Sequence, residues 1–178
     1  MISKFSKVII SLKHWQLLLL IIFPLAWTSP NPLKEIINGV GVLFLTFWIY
    51  GIGIYGYDRL QKTNKTNSLR VNLFKKNMLM SILLLIVIYI ISKLDESGCL
   101  IKSVSAIIIM PIGGYFIYSI SYTIIFATKS VTMLELKREV TFTDYFLNLF
   151  LILNLIIGIW FIQPKIRKYI LSDIDPTI

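Results

Sequence analysis

The chain has 178 residues, 56% of them hydrophobic, and its mean hydropathy is +0.77. A soluble domain is about 45–50% apolar, so this composition excludes an ordinary soluble globular protein. Lys and Arg number 18 against 9 Asp and Glu, a net charge of +9, but these charges fall in short segments between long apolar runs. That distribution favours anionic lipid headgroups over nucleic acid as the partner of the basic segments, and we expect no nucleic-acid binding.

Apolar segments follow one another along the chain from a basic start. Pro24 is expected to bend or shorten the first of them. The second has no charged side chain, and an apparent interfacial aromatic belt gathers toward its end: Trp48, Tyr50, Tyr55 and Tyr57. The predicted spans are residues 15–27, 36–57, 77–92, 104–127 and 145–163.

The two longest of these runs, when helical, reach past the roughly 30 Å hydrocarbon core of a bilayer. They are apolar nearly all round, whereas a soluble core helix carries a polar stripe. The sequence therefore predicts an all-α fold, a polytopic transmembrane helical bundle that forms one domain over residues 1–178. We expect five spans, or four if an end segment is re-entrant or interfacial.

Residues 58–76 form the most basic loop, which the positive-inside rule places on the cytoplasmic side of a bacterial inner membrane. The candidate contacts for a partner protein or for anionic lipid are its cations: Arg59, Lys62, Lys65, Arg70, Lys75 and Lys76. With five crossings, the C-terminal cations Lys165, Arg167 and Lys168 would lie on the opposite side, against the rule. Four crossings would relieve this conflict at one terminus or the other.

Two groups of small or helix-breaking residues lie inside the spans: Gly51, Gly53 and Gly56 in the second, and Pro111, Gly113 and Gly114 in the fourth. The first group matches the letters of a dinucleotide-binding fingerprint, but it ends an apolar run with no strand before it, so close helix packing is the better interpretation. The second group predicts a kink or partial unwinding in mid-membrane. Broken helices line the sites of many transporters, and a kink that fits a neighbouring helix is the simpler alternative.

Catalytic and metal-binding sets are missing from the sequence. His14 is the single histidine and Cys99 the single cysteine, and no carboxylate lies inside a span. We therefore predict no enzyme activity, no cofactor and no metal site. Asp144 is expected to cap the fifth helix. Uncharged polar residues within the spans are expected to form interhelical hydrogen bonds: Asn38, Thr46, Asn148, Asn154 and Gln163.

Several stretches carry a family resemblance: Leu12 to Gln16 (LKHWQ), Asn72 to Lys75 (NLFK), Ser130 to Tyr145 (SVTMLELKREVTFTDY) and Gly158 to Lys165 (GIWFIQPK). Together they resemble a family of small multi-span proteins widespread in Bacteroidetes-type bacteria. The resemblance implies a bacterial inner-membrane protein, and it implies no activity. The chain departs from the family pattern where a proline usually precedes Gly-Ile-Trp, which leaves the kink of the fifth span open.

The leading hypothesis is a non-enzymatic membrane component that acts through protein partners, as an accessory, scaffold or regulatory subunit. The charged surfaces at residues 58–76 and 129–143 would be its docking sites. One alternative is a self-assembling pore or a membrane-disrupting effector of a bacterial defence system, which the polar Asn residues of the fifth segment permit. A weaker alternative is a small-solute transporter built around Pro111–Gly114.

Overall fold

The computed structural model describes residues 2–26, 33–62, 69–97 and 102–171, and every regular element in these ranges is a helix. The prediction of an all-α fold is therefore confirmed. The backbone divides into two compact units: the first contains Met1–Leu69 and Ile124–Ile178, and the second contains Arg70–Thr123. Among the described residues, three helical segments are long and apolar enough to cross a membrane: Lys34–Gln61, Val71–Leu94 and Ile109–Leu136.

The first unit begins with two short helices and one long helix. α1 is Ile2–Ser11, α2 is His14–Ala26 and α3 is Leu33–Gln61. α2 coincides with the first predicted span, apart from its last residue, which lies outside the described ranges. The basic start of the chain, for which the sequence predicted no element, forms α1. At about 20 Å, α2 is shorter than a hydrocarbon core.

Two glycines of α3 let α1 and α2 approach its backbone. A Cβ atom at Gly51 would lie 2.6 Å from Ile10 Cγ2 in α1, and one at Gly41 would lie 3.0 Å from Pro24 Cβ in α2. The later part of α2 therefore packs on the early part of α3, and α2 runs in the opposite direction to α3. Close approach through small residues is typical of helix pairs in membranes.

α5, Lys102–Leu136, is a continuous helix that includes Pro111. The partial unwinding predicted in this region is absent. A Cβ atom at Gly113 or Gly114 would have no atom within 4 Å among the described residues, so neither glycine serves a close helix contact there. The helix therefore accommodates Pro111, although the proline has no backbone N–H to donate to the preceding turn.

α6, Phe142–Leu153, and α7, Leu155–Ile166, form a helical hairpin. The predicted fifth span, residues 145–163, is therefore not one helix, because Asn154 leaves the helical conformation with φ −92° and ψ 71°. Residues 148 and 165 of a continuous helix would be about 25 Å apart. Instead, Asn148 Oδ1 accepts a hydrogen bond from Lys165 Nζ at 3.1 Å, so α7 folds back along α6. A π-helical turn, Arg167–Leu171, continues α7.

The core of the first unit lies between these helices. α7 packs on α2, and the π-helical turn packs on α1 and α3. The buried side chains of the core come from every one of these elements: Ile10, Leu17, Ile21, Trp48, Ile52, Ile159, Ile162, Ile166 and Ile170. Trp48 was predicted to lie in an interfacial belt; this is wrong, because its side chain is buried in the core.

The second unit contains α4, Val71–Glu96, and the N-terminal part of α5. A hydrogen bond joins the two helices: Ser119 Oγ of α5 donates to Asn77 O of α4 at 2.6 Å. Ser81 Oγ of α4 donates to the same oxygen at 2.9 Å. These three residues are buried, whereas the following turns of α4 expose Leu83, Leu85 and other apolar side chains. A helix of this kind suits an apolar surrounding such as a bilayer.

Candidate functional site at the basic end of the first unit

Gln163 joins the hairpin to the N-terminal helices. Its side chain is fully buried, and its Nε2 donates to Ile10 O and to Leu12 O, both at 2.7 Å. Its Oε1 accepts a hydrogen bond from Trp48 Nε1 at 2.9 Å. The last carbonyls of a helix have no partner within their own helix, so Gln163 caps α1 across the fold. Both the oxygen and the nitrogen of the amide have hydrogen-bond partners, so Gln163 links α1, α3 and α7 specifically.

Lys165 joins the hairpin to the end of α5. Its Nζ donates to Glu135 Oε2 at 2.8 Å and to Asn148 Oδ1 at 3.1 Å. Asn148 Nδ2 in turn donates to Thr132 Oγ1 at 2.9 Å. The side chains of Lys165 and Glu135 keep 29% and 27% of their surface exposed, so water screens this ion pair in part.

A second ion pair closes the turn between α5 and α6. Arg138 Nη1 and Nη2 donate to the two carboxylate oxygens of Asp144 at 2.9 and 2.7 Å, and Thr141 N donates to Asp144 Oδ2 at 2.8 Å. These donors lower the pKa of Asp144 from 3.8 to about 2. Asp144 caps α6 as predicted, but from the N3 position of a capping box in which Thr141 is the N-cap residue. Lys137 has φ 54°, in the left-handed region that ends many helices.

These contacts gather cations from separate segments at one end of the first unit, which we call the basic end. α3 and α5 both reach it, since a Cβ atom at Gly56 would lie 2.7 Å from Ser130 Oγ. The π-helical turn reaches it too, since Ile170 Cδ1 is 3.7 Å from the same position. The segments that meet at the basic end carry these cations: Arg59, Lys62, Lys129, Lys137, Arg138, Lys165, Arg167 and Lys168.

An open groove of about 520 Å³ lies at the basic end, between the end of α3 and the π-helical turn. Its walls combine both signs of charge with an apolar surface: Tyr55, Asp58, Arg59, Gln61, Lys62 and Ile170. Ligand pockets usually measure about 300–1,000 Å³, so this groove is large enough for a small polar group.

The predicted contact cations fall in three places. Arg59 and Lys62 line the groove. Lys65 lies outside the described residues. Arg70 and the pair Lys75 and Lys76 belong to the second unit, where their side chains are exposed at the beginning of α4.

The glycines predicted to serve packing lie at helix contacts. Gly51 faces Ser6 and Ile10 of α1, and Gly56 faces Ser130 of α5, while Gly53 is buried. Among the polar residues predicted to form interhelical bonds, Asn148 and Gln163 do so, as described above. Asn154 instead bonds within its own helix, where its Nδ2 donates to Phe150 O at 2.9 Å.

Sequence reasoning missed the partners that give this site its geometry. Lys165 was assigned only to a basic tail, Trp48 only to an aromatic belt, and Glu135 to no role. The one available signal was composition: a carboxylate next to one apolar run and a lysine next to another are candidates for an ion pair across the fold.

A scan against protein-family models and searches of curated proteins and of solved structures found no match to the chain. Among the described residues, no group of three or more His, Cys, Asp or Glu side chains is placed to hold a metal ion.

Proposed function

We propose that the protein is an integral protein of a bacterial inner membrane, with the basic end of its first unit on the cytoplasmic side. The three long apolar helical segments support membrane insertion. The hairpin supports the orientation, because it returns the C-terminal cations to the end of the unit that carries Arg59 and Lys62. The positive-inside rule is then obeyed by both basic clusters without a fifth crossing. α6 and α7, each about 18 Å long, enter the membrane as a re-entrant hairpin.

In this membrane the protein acts as a non-enzymatic accessory or scaffold subunit that binds a protein partner through the basic end. The observation that carries this proposal is the fixed arrangement of cations from α3, α5 and the hairpin around one surface. Gln163 and the Lys165–Glu135 pair hold these elements together, so the surface is preorganised. A surface on which cations outnumber carboxylates fits an acidic cytoplasmic segment and increases its rate of association.

Native mass spectrometry of the protein extracted gently from its own membrane tests this function. We expect a stoichiometric complex with a second protein, which Arg167→Glu with Lys168→Glu dissociates. Lys34→Glu is the matched control, because Lys34 is exposed at the opposite end of α3, about 38 Å from Arg59. A defined homo-oligomer with no second protein would contradict the accessory role and favour the pore.

The pore alternative has less support from the site. Its motivation was the polarity of the fifth segment, and the two asparagines concerned are engaged within the protein. Asn148 bonds Thr132 and Lys165, and Asn154 bonds its own helical turn. The transporter alternative relied on an unwound helix at Pro111–Gly114, and α5 is continuous there.

A further inference from the structure

The groove at the basic end presents opposite charges at a short separation. Asp58 is exposed in the last turn of α3, Lys62 directly follows the helix, and both side chains line the groove. Arg59 lines the same groove. Neither Asp58 nor Lys62 forms an ion pair with the residues that the structure describes. A ligand with an anionic and a cationic group a few ångströms apart would match this arrangement.

The residues around the groove indicate at which level of the membrane a ligand of this kind would lie. Tyr55 lines it and Tyr57 follows within the same turn of α3, and tyrosine side chains concentrate at the level of lipid headgroups. Ile170 supplies an apolar wall next to the charged ones. An amphiphile held at the membrane surface therefore suits the groove better than a wholly polar solute does.

We infer that this groove binds the headgroup of a zwitterionic phospholipid of the phosphatidylethanolamine class, with its phosphate at Lys62 and its ammonium group at Asp58. The inference rests on the proposed membrane placement of the basic end, but it does not depend on a protein partner. Arginine and lysine are the usual phosphate-binding side chains, and a carboxylate is the natural acceptor for an ammonium group.

The test is native mass spectrometry of the delipidated full-length protein titrated with dioleoyl phosphatidylethanolamine or dioleoyl phosphatidylglycerol. The wild-type protein should bind the ethanolamine lipid more tightly. Lys62→Gln should weaken both lipids roughly tenfold, since it removes one charge-assisted hydrogen bond to phosphate. Asp58→Asn should weaken only the ethanolamine lipid, roughly tenfold, and leave the glycerol lipid unchanged or tighter. Both side chains are exposed, so these substitutions spare the core.

The matched control is Lys34→Gln, which neutralises one exposed cation at the opposite end of α3 and should leave the affinity for both lipids unchanged. Equal weakening by the control would overturn the inference, since it would mean that net charge alone attracts lipid. An unchanged lipid preference in Asp58→Asn would also overturn it. So would displacement of the lipid by millimolar inorganic phosphate, which would identify free phosphate as the ligand. Loss of the protein partner with intact lipid binding would contradict only the proposed accessory function.

Discussion

Gln163 shows how a single side chain can determine the arrangement of several helices. Its amide satisfies the indole N–H of Trp48 and two carbonyls at the end of α1, in a place where water has no access. An unsatisfied buried polar group costs about 1–3 kcal/mol. Losing the whole amide would therefore cost more free energy than losing any one of its hydrogen bonds, because several elements depend on it.

Gln163→Leu is expected to destabilise the protein by at least about 2 kcal/mol, because it leaves the buried Trp48 N–H and Ile10 carbonyl without a partner. The measurement is the thermal unfolding midpoint in detergent, with the free energy taken from reversible denaturant unfolding. Gln16→Leu is the control, because Gln16 accepts only a local bond from Lys13 N at the exposed start of α2. Equal stability of the two variants would mean that Gln163 is not a structural link.

Gly158 also determines how two helices pack, because its lack of a side chain lets α6 and α7 approach each other closely. A Cβ atom there would overlap the backbone carbonyl of Leu151 in α6. The backbones of α6 and α7 therefore meet at this glycine, and no rearrangement of a flexible side chain can make room.

Gly158→Ala should destabilise the protein by about 1–3 kcal/mol, or open the hairpin, because the backbone itself must move. Gly113→Ala makes the same substitution where a Cβ atom meets nothing within 4 Å of the described residues, and it should be neutral or stabilise α5 by up to about 1 kcal/mol. Thermal unfolding of both variants checks the contrast. A harmless Gly158→Ala would show that α6 and α7 do not meet at this residue.

At the scale of elements, two ion pairs hold the hairpin in place, and each stabilises a different part of it. Lys165–Glu135 holds the returning end of α7, whereas Arg138–Asp144 closes the turn into α6. Both are partly exposed, so water screens the attraction and each contributes only modestly to stability.

A double-mutant cycle with Lys165→Met and Glu135→Gln should give a coupling energy of about 0.5–1 kcal/mol, reduced at high salt. The measurement is the stability of the two single variants and the double variant in detergent. We expect Asn148→Ala to lower this coupling, since Asn148 Oδ1 also accepts from Lys165 Nζ. Additive effects of the two single substitutions would exclude a direct interaction.

The Arg138–Asp144 pair should respond only to strong acid. The pKa of Asp144 is lowered by folding, from 3.8 to about 2, so the folded state prefers the ionised carboxylate. The stability that it provides is fully present above roughly pH 4 and is lost as the pH falls toward 2. The thermal midpoint of Asp144→Asn should therefore lie below that of the wild type by a constant amount from roughly pH 4 to 7, and the difference should shrink below pH 4. A difference that persists at the lowest pH would assign the effect to something other than ionisation.

At the scale of the whole molecule, the proposed topology depends on the hairpin, because the hairpin determines at which end of the first unit the C-terminal cations lie. A straight fifth span would carry Arg167 and Lys168 across the bilayer, away from Arg59 and Lys62. The re-entrant arrangement keeps all four at the basic end.

Cysteine labelling tests this topology. In a Cys99→Ser background, Lys62→Cys and Lys168→Cys should both react with an impermeant maleimide in inverted vesicles and not in intact cells. Lys34→Cys, at the other end of α3, should show the reverse pattern. Reaction of Lys168→Cys on the same side as Lys34→Cys would contradict the re-entrant hairpin.

Much of the architecture could be predicted from local sequence, but the candidate site could not. The second, third and fourth predicted spans correspond to α3, α4 and α5, and the packing role proposed for Gly51 and Gly56 agrees with their close neighbours. In contrast, Pro111 suggested a break in a helix that is continuous, and Asn154, which is not a typical helix breaker, ends one. Whether the helix continues at Pro111 and ends at Asn154 depends on the residues that surround each of them in the folded protein.

By itself, the sequence determined that the chain is helical and that long parts of it suit a bilayer, because both properties depend on the composition and periodicity of neighbouring residues. The tertiary structure alone decided that α7 folds back on α6, that α1 is capped by Gln163, and that the cations meet at one end. Gln163 bonds partners 115 and 153 positions away in the chain, and no local pattern records such a pairing. The strength of these bonds comes from their burial, and the whole fold creates that burial.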